Sequence, residues 1–142
     1  MTALVDTNVL VYRFDPRDAS KQTTATELLR SGIADGSVCL AHQAVVEFVA
    51  AATRPVAGGA PLLSVPEAVR EAEELLVQFE VLFPNEDIVR LALRGMAAYQ
   101  LHWFDAHMWA YAEHHGLEEL ISEDFQDGRL YGGVRAVNPF RE

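Results

Sequence analysis

What most constrains this chain is a rhythm of short apolar runs separated by segments with helical spacing. Ala3-Leu4-Val5, Val38-Cys39-Leu40, Val81-Leu82-Phe83, Leu120-Ile121 and Val134-Arg135-Ala136-Val137 read as strands. Val9-Leu10-Val11 reads as a continuation of the first strand after a break. Unbroken apolar runs of this kind suit strands buried on both faces. Between them, residues 18–34 carry Ala25, Leu28, Leu29 and Ile33 on one side, with Gly36 just beyond. Residues 42–53, 86–100 and 104–115 also have helical character, and Gly116 stops the last of these. Ser64-Val65-Pro66-Glu67 is a capping-box pattern that opens a further helix carrying Val69, Ala72, Leu76 and Phe79. Pro55 to Pro66, with Gly58, Gly59 and Pro61, is the one clear loop. Short strands alternating with helices predict an α/β fold, with a mainly parallel sheet flanked by helices on both faces.

The 142 residues predict a single domain, 1–142. A chain of this size buries about 70% of its unfolded surface, enough for a core without staples. A lone cysteine, Cys39, excludes an intrachain disulfide, and its place in a buried strand predicts an inert thiol. No apolar run has the length of a membrane span and no signal peptide is visible, so a cytoplasmic protein is expected.

Charge narrows the chemistry. Eleven basic against 21 acidic residues give a formal net charge of −10. Such a chain repels nucleic acid unless cations cluster or metal ions intervene. Lys21 is the only lysine and the other cations are arginines, which suit bidentate phosphate contacts. A DNA-coating protein is disfavoured, and a metal-dependent enzyme stays open.

In parallel sheets, ligands bind beyond the carboxyl ends of the strands. Four acids stand out against that rule. Asp6 ends the first strand in Val5-Asp6-Thr7-Asn8, and Asp124 follows Leu120-Ile121 in Ser122-Glu123-Asp124. Glu47 interrupts the apolar stretch Ala44 to Ala51, and Asp105 shares a helical face with Met108, Trp109 and Ala112. Each has a plain alternative. Asp6 and Asp105 are good helix caps, Asp124 and Asp127-Gly128 suit an acidic turn, and Gln43, Glu47 and Arg54 suit a thin polar stripe. Taken together, oxygen-only donors of this kind suit Mg²⁺ or Mn²⁺. A metal held there would reconcile an acidic chain with an RNA substrate, because it activates water and neutralises phosphodiester charge.

The five histidines, His42, His102, His107, His114 and His115, form no zinc pattern and read as packing or surface residues, with His107 the one placed to border a site. Trp103, Phe104 and Trp109 read as core. No nucleophile elbow, P-loop or dinucleotide fingerprint is present.

The ordered acids Asp6, Glu47, Asp105 and Asp124, with the closing stretch Ser122 to Gly128 and Val137-Asn138-Pro139-Phe140, resemble the PIN domain. More narrowly they resemble the VapC toxin ribonucleases of bacterial toxin–antitoxin pairs. The resemblance covers essentially the whole chain. It implies a three-layer α/β/α sandwich and a Mg²⁺- or Mn²⁺-dependent endoribonuclease. By position it makes Asp6, Glu47, Asp105 and Asp124 the catalytic, metal-holding quartet. Thr7, Asn8 and Ser122 become supporting polar groups, and Asp127 a further acid competing with Asp124 for the place nearest the metal. It also implies an RNA substrate, a cognate antitoxin whose tail enters the acidic groove, a homodimer and no membrane association. Arg13, Arg17 and Arg129 are the arginines considered for flanking phosphates.

Two other readings are weighed. An aspartate-based phosphoryl-transfer protein of the receiver type wants a lysine near the last strand, and Lys21 lies near the N-terminus. The dehalogenase-like variant wants a second aspartate where Asn8 stands. A non-catalytic protein-binding module would use the acids only as caps.

Overall fold

The computed structural model describes residues 2–141. The end residues of the expected 1–142 domain, Met1 and Glu142, lie outside the described residues. The elements are β1 (Ala3–Val5), α1 (Thr7–Tyr12), α2 (Ala19–Asp35), β2 (Val38–Ala41), α3 (His42–Thr53), α4 (Val65–Gln78) and β3 (Glu80–Leu82). They continue as α5 (Glu86–Tyr99), α6 (Trp103–His114), β4 (Glu119–Ile121), β5 (Leu130–Tyr131) and β6 (Val134–Val137).

The strands form one sheet in the order β3-β2-β1-β4-β6-β5. Every neighbouring pair is parallel except the β5–β6 hairpin. β1 is central, with Leu4 opposite Cys39 on one side and Leu120 on the other. From β1 the chain steps outward to β2 and β3, then crosses back to β4 on the far side of β1. Parallel crossovers are right-handed, so this reversal places the earlier helices on one face and α5–α6 on the other. The result is the expected α/β/α sandwich. It also creates a switch point between β1 and β4, where the crevice beyond the strand ends opens.

The core follows the apolar runs. Leu4, Val5, Leu29, Leu40, Phe48, Met108, Tyr111 and Leu120 are buried. On the second face, Gly95 of α5 lies against Trp109 of α6, and a Cβ there would collide with the indole ring. The Trp109 indole N–H donates to the Tyr131 carbonyl at 2.9 Å, fixing the ring beneath the β5–β6 hairpin. Cys39 is buried in β2, and burial pushes its thiol up to about 12, as expected of an inert group. No helix among the described residues is long and apolar enough to cross a membrane.

Local chemistry sets the boundaries. Ser64 and Glu67 form the predicted capping box, with Ser64 N–H donating to Glu67 at 2.9 Å and Glu67 N–H to Ser64 Oγ at 3.3 Å. The helix starts at Val65, so Pro66 sits in its first turn rather than in the loop, where its missing N–H costs nothing. One expectation fails. Val9-Leu10-Val11 does not continue β1 but forms most of α1, where Val9 and Leu10 are buried. Asp6 in extended conformation accepts the Thr7 N–H at 2.7 Å, and its carbonyl accepts the Val9 N–H at 3.2 Å. That cap and burial on the α3 side outweigh the weak strand preference of valine.

Candidate functional site

The crevice between the carboxyl ends of β1 and β4 is lined by residues whose backbones extend the sheet. Asp6 N–H donates to the Ile121 carbonyl at 2.9 Å, and Ser122 N–H to the Val137 carbonyl at 3.0 Å. The Asp6 and Ser122 backbones are thereby fixed beside each other, with Asp124 two residues further on. The third acid arrives from α6. Its N-cap is His102, without a side-chain capping bond, so Asp105 is not the cap but a first-turn residue. Met108, Trp109 and Ala112 on the same face are buried, as their spacing predicted, and Asp105 is the polar start of that stripe.

Asp6, Asp105 and Asp124 each place a carboxylate oxygen within 4.8 Å of the other two. Ser122, fully buried, is the hub beneath them. Its hydroxyl donates to Asp6 Oδ2 at 2.6 Å and accepts the Asp124 N–H at 3.0 Å. The Asn8 amide donates to Ser122 Oγ at 3.3 Å and to Asp124 Oδ2 at 3.0 Å. Asn8 and Ser122 are thus bonded to the acids directly, and Thr7 through its backbone N–H to Asp6.

Glu47 lies outside the tight trio and is tied to it through α1. Thr7 Oγ1 donates to Glu47 Oε1 at 2.6 Å, and Gln43 Nε2 donates to Oε2 at 3.0 Å. The expected Gln43–Glu47 stripe is therefore real, and it faces the site. His107 lines a cleft of about 300 Å³ with Gln43, Glu47, Trp103 and Phe104. Burial holds the His107 ring below its ordinary pKa, so it is neutral at pH 7.

Electrostatics mark the trio. Burial raises the Asp6 carboxyl to about 7, against hydrogen bonds from Ser122 and Thr7, and the charges of Asp124 and Asp105 push the same way. Asp105 is raised by burial first, then by Asp124 and Glu47, with His102 opposing. No ion pair among the described residues reaches these three acids; the pairs found are Arg13–Glu71, Arg17–Asp15, Lys21–Glu123, Arg90–Glu86 and Arg141–Asp127. Three converging carboxylates with no protein cation and no nitrogen or sulfur donor fit a hard divalent cation such as Mg²⁺ or Mn²⁺.

Asp127 is elsewhere. Its Oδ1 accepts the Asn138 N–H at 2.8 Å and Arg141 lies 3.8 Å away, so it ties the closing turn while Asp124 joins the trio. Lys21 also moves in meaning. Far from the last strands in sequence, it donates to Glu123 at 2.9 Å, next to Asp124, and to Tyr12 Oη at 3.2 Å. Tyr12 donates to the other Glu123 oxygen at 2.6 Å. This lock on the 122–124 turn was missed by sequence reasoning, because nothing in the spacing of three residues from three segments announces their meeting.

Comparison with known proteins agrees with this geometry. The PIN domain family model matches residues 3–129. No curated protein matches the sequence. Among solved structures, the chain is similar to a toxin–antitoxin complex from Klebsiella pneumoniae, with 23% identity, 97% of this chain and 98% of that chain covered, and a TM-score of 0.68. It is similar to FitAcB from Neisseria gonorrhoeae, with 18% identity, 99% and 100% covered, and a TM-score of 0.67. It is also similar to VapC20 of Mycobacterium tuberculosis, described as a sarcin–ricin-loop-cleaving toxin, with 18% identity, 84% and 87% covered, and a TM-score of 0.67.

Proposed function

The chain belongs to the PIN-domain family, and on that footing we propose that it is a metal-dependent endoribonuclease, the toxin of a toxin–antitoxin pair. The observation that carries this reading is the convergence of Asp6, Asp105 and Asp124 at the β1/β4 switch point. Those three acids would hold Mg²⁺ or Mn²⁺, and Glu47 would complete the set alongside, through its bond from Thr7. When bound, such an ion lowers the pKa of water and offsets charge on the phosphodiester.

The protein's own part is orientation. Ser122 and Thr7 N–H fix Asp6 from two sides, so its outward lone pairs face the crevice. Asn8 bridges Ser122 and Asp124, which fixes the β4 turn to α1. Asp105 sits in the first turn of α6, where the helix dipole favours its negative charge. Glu47, with both oxygens bonded, adds charge without swinging. Water as the attacking group, rather than the ribose 2′-hydroxyl, predicts products with a 5′-phosphate and a 3′-hydroxyl.

The partners follow from the same reading. A solved structure similar to this chain is described as a toxin–antitoxin complex, and a cognate antitoxin is proposed here by that likeness. Val65, Val69 and Leu76 on α4, and separately Val89, Leu93 and Met96 on α5, stay exposed, and such apolar faces suit protein partners, a second copy included.

The test is cleavage of end-labelled total cellular RNA by antitoxin-free protein with Mn²⁺, Mg²⁺ or EDTA, with Asp105→Asn beside the wild type. Metal-dependent cutting that the variant lacks supports the reading. Products ending in a 2′,3′-cyclic phosphate would sink the mechanism.

A further inference from the structure

A groove of about 500 Å³ runs between α1 and α3, lined by Thr7, Asn8 and Glu47 near the acids and by Asp15, Arg17 and Arg54 farther along. Thr7 is bonded to Glu47, so the start of α1 lies beside the middle of α3. Arg54, seven residues beyond Glu47, is then roughly 10 Å along the helix axis. We propose that this groove seats the RNA strand, and that Arg17 and Arg54 hold phosphates flanking the one at the acid cluster. This rests on the nuclease reading and adds to it the residues that bind the backbone.

The cations of the chain sort themselves. Arg13, one of the arginines considered from sequence, is 19% exposed at its side chain and paired with Glu71. Arg129, another, stacks over the Tyr131 ring at 4.5 Å. Arg17, the third, lines the groove. Its Nε and Nη2 donate to Asp15 at 2.9 and 2.7 Å, and its backbone N–H donates to the same carboxylate at 3.0 Å. Asp15 is only 5% exposed, whereas the Arg17 side chain is 59% exposed. The guanidinium is therefore held by its inner edge while the outer N–H groups face the groove. A fork fixed beforehand loses little freedom when it takes a phosphate.

Arg54 is the complementary case. It makes no ion pair or side-chain hydrogen bond with any described residue. Its backbone is extended ahead of Pro55, which ends α3 and turns the side chain's base away from the helix ladder. The anions in the same groove are already committed: Asp15 to Arg17, and Glu47 to Thr7 and Gln43. The groove's cation without an acid partner is Arg54, and Arg17 keeps N–H groups beyond those bonded to Asp15, on a chain whose net charge is −10. Phosphate fits Arg17 and Arg54, while Val11, Ala50 and Ala51 leave part of the lining apolar.

The experiment measures binding apart from cleavage. Asp105→Asn protein is titrated with a fluorescent single-stranded RNA in Mg²⁺ over a range of salt. Each phosphate contact on a single strand contributes a slope of roughly 0.7 in log K against log salt. Arg17→Ala with Arg54→Ala should lower the slope by about 1.4 and weaken low-salt binding by about tenfold or more, each single change giving about half the slope loss. Arg17→Lys, which keeps charge but not the fork, should fall between. Arg94→Ala, on α5 and off the groove, should change neither quantity. Arg54→Ala leaves no buried acid unpaired, so its effect does not depend on how Arg17→Ala folds. In otherwise wild-type protein, Arg54→Ala should raise KM with kcat held. If wild type cuts RNA but the double variant keeps its slope and KM, the subsite is wrong and the nuclease reading stands. If wild type neither binds nor cuts RNA, both fall. Unchanged RNA binding with lost binding of a polyglutamate probe would overturn the proposal in favour of an acidic protein segment as the occupant.

Discussion

Two aspartates flank α1 and are almost equally buried, Asp6 at 6% and Asp15 at 5% exposure. Their environments drive them in opposite directions. Asp15 has its cation: Arg17 bonds it through two nitrogens and holds its carboxyl below the ordinary carboxylate range. Asp6 has no cation, so burial lifts its carboxyl to about 7, with Asp124 and Asp105 adding to the rise and the bonds from Ser122 and the Thr7 N–H opposing it. Burial alone therefore does not mark a functional acid. The informative observation is a buried acid whose cation is missing from the chain. Asp15 is answered by a cation within the chain, whereas Asp6, on the reading proposed above, takes its cation from outside.

That contrast can be broken most sharply at the trio. Asp105→Asn should lower RNA cleavage by well over about a hundredfold, beyond the ~10–100-fold typical of groups one shell removed from a metal. Ser122→Ala tests such an outer group. It removes the donor to Asp6 and the acceptor for Asp124, and cleavage should fall about 10–100-fold with weaker Mn²⁺ binding by calorimetry. An effect of Ser122→Ala on melting temperature alone would make Ser122 merely a packing residue.

Smaller effects separate the two aspartates by pH. Folded Asp6 keeps its proton to about pH 7, whereas its ordinary value is 3.8. Between those values the folded state binds the extra proton, so metal-free stability should fall as pH rises across that window. Mn²⁺ should reverse the fall, and Asp105→Asn should raise the metal-free melting temperature at pH 8 by a few degrees. A melting curve that added Mn²⁺ leaves unchanged would remove the metal from the reading of these acids. Asp15 runs the other way. Its stabilisation is present above its ordinary value of 3.8 and is lost as pH falls through the lower folded value. Arg17→Ala should remove that acid limb and, by leaving the buried Asp15 carboxylate without its cation, also lower stability at neutral pH.

Much of this was legible in the sequence. The alternation of apolar runs and helical spacing sufficed for the sheet, and 42–53 was bounded as the structure has it because Ala44 to Ala52 is apolar apart from Glu47. Strand-end position singled out Asp6 and Asp124, and an expected packed face singled out Asp105. Val9-Leu10-Val11 misled because side-chain preference is local, while the Asp6 cap and the burial of Val9 and Leu10 decide the conformation. β5 escaped notice because two residues carry no periodicity. The choice between Asp124 and Asp127 needed the turn itself, in which Asp127 is consumed by the Asn138 N–H. Asp15 and Lys21 gave no signal, since their meaning lies in partners that sequence distance does not order.

The central place of β1 has a consequence for how the molecule comes into being. Its parallel neighbours are β2 and β4, and Leu120 pairs with Leu4 across almost the whole chain. Ser122 is anchored in turn by Val137. A ribosome making this protein delivers Asp6 early and waits for residues beyond 130 before the β4 turn can dock. Until then Asp6 has no Ser122, no Asp124 and no shared pocket. On the nuclease reading proposed above, a chain still being synthesised has no complete acid cluster until the β4 turn has docked.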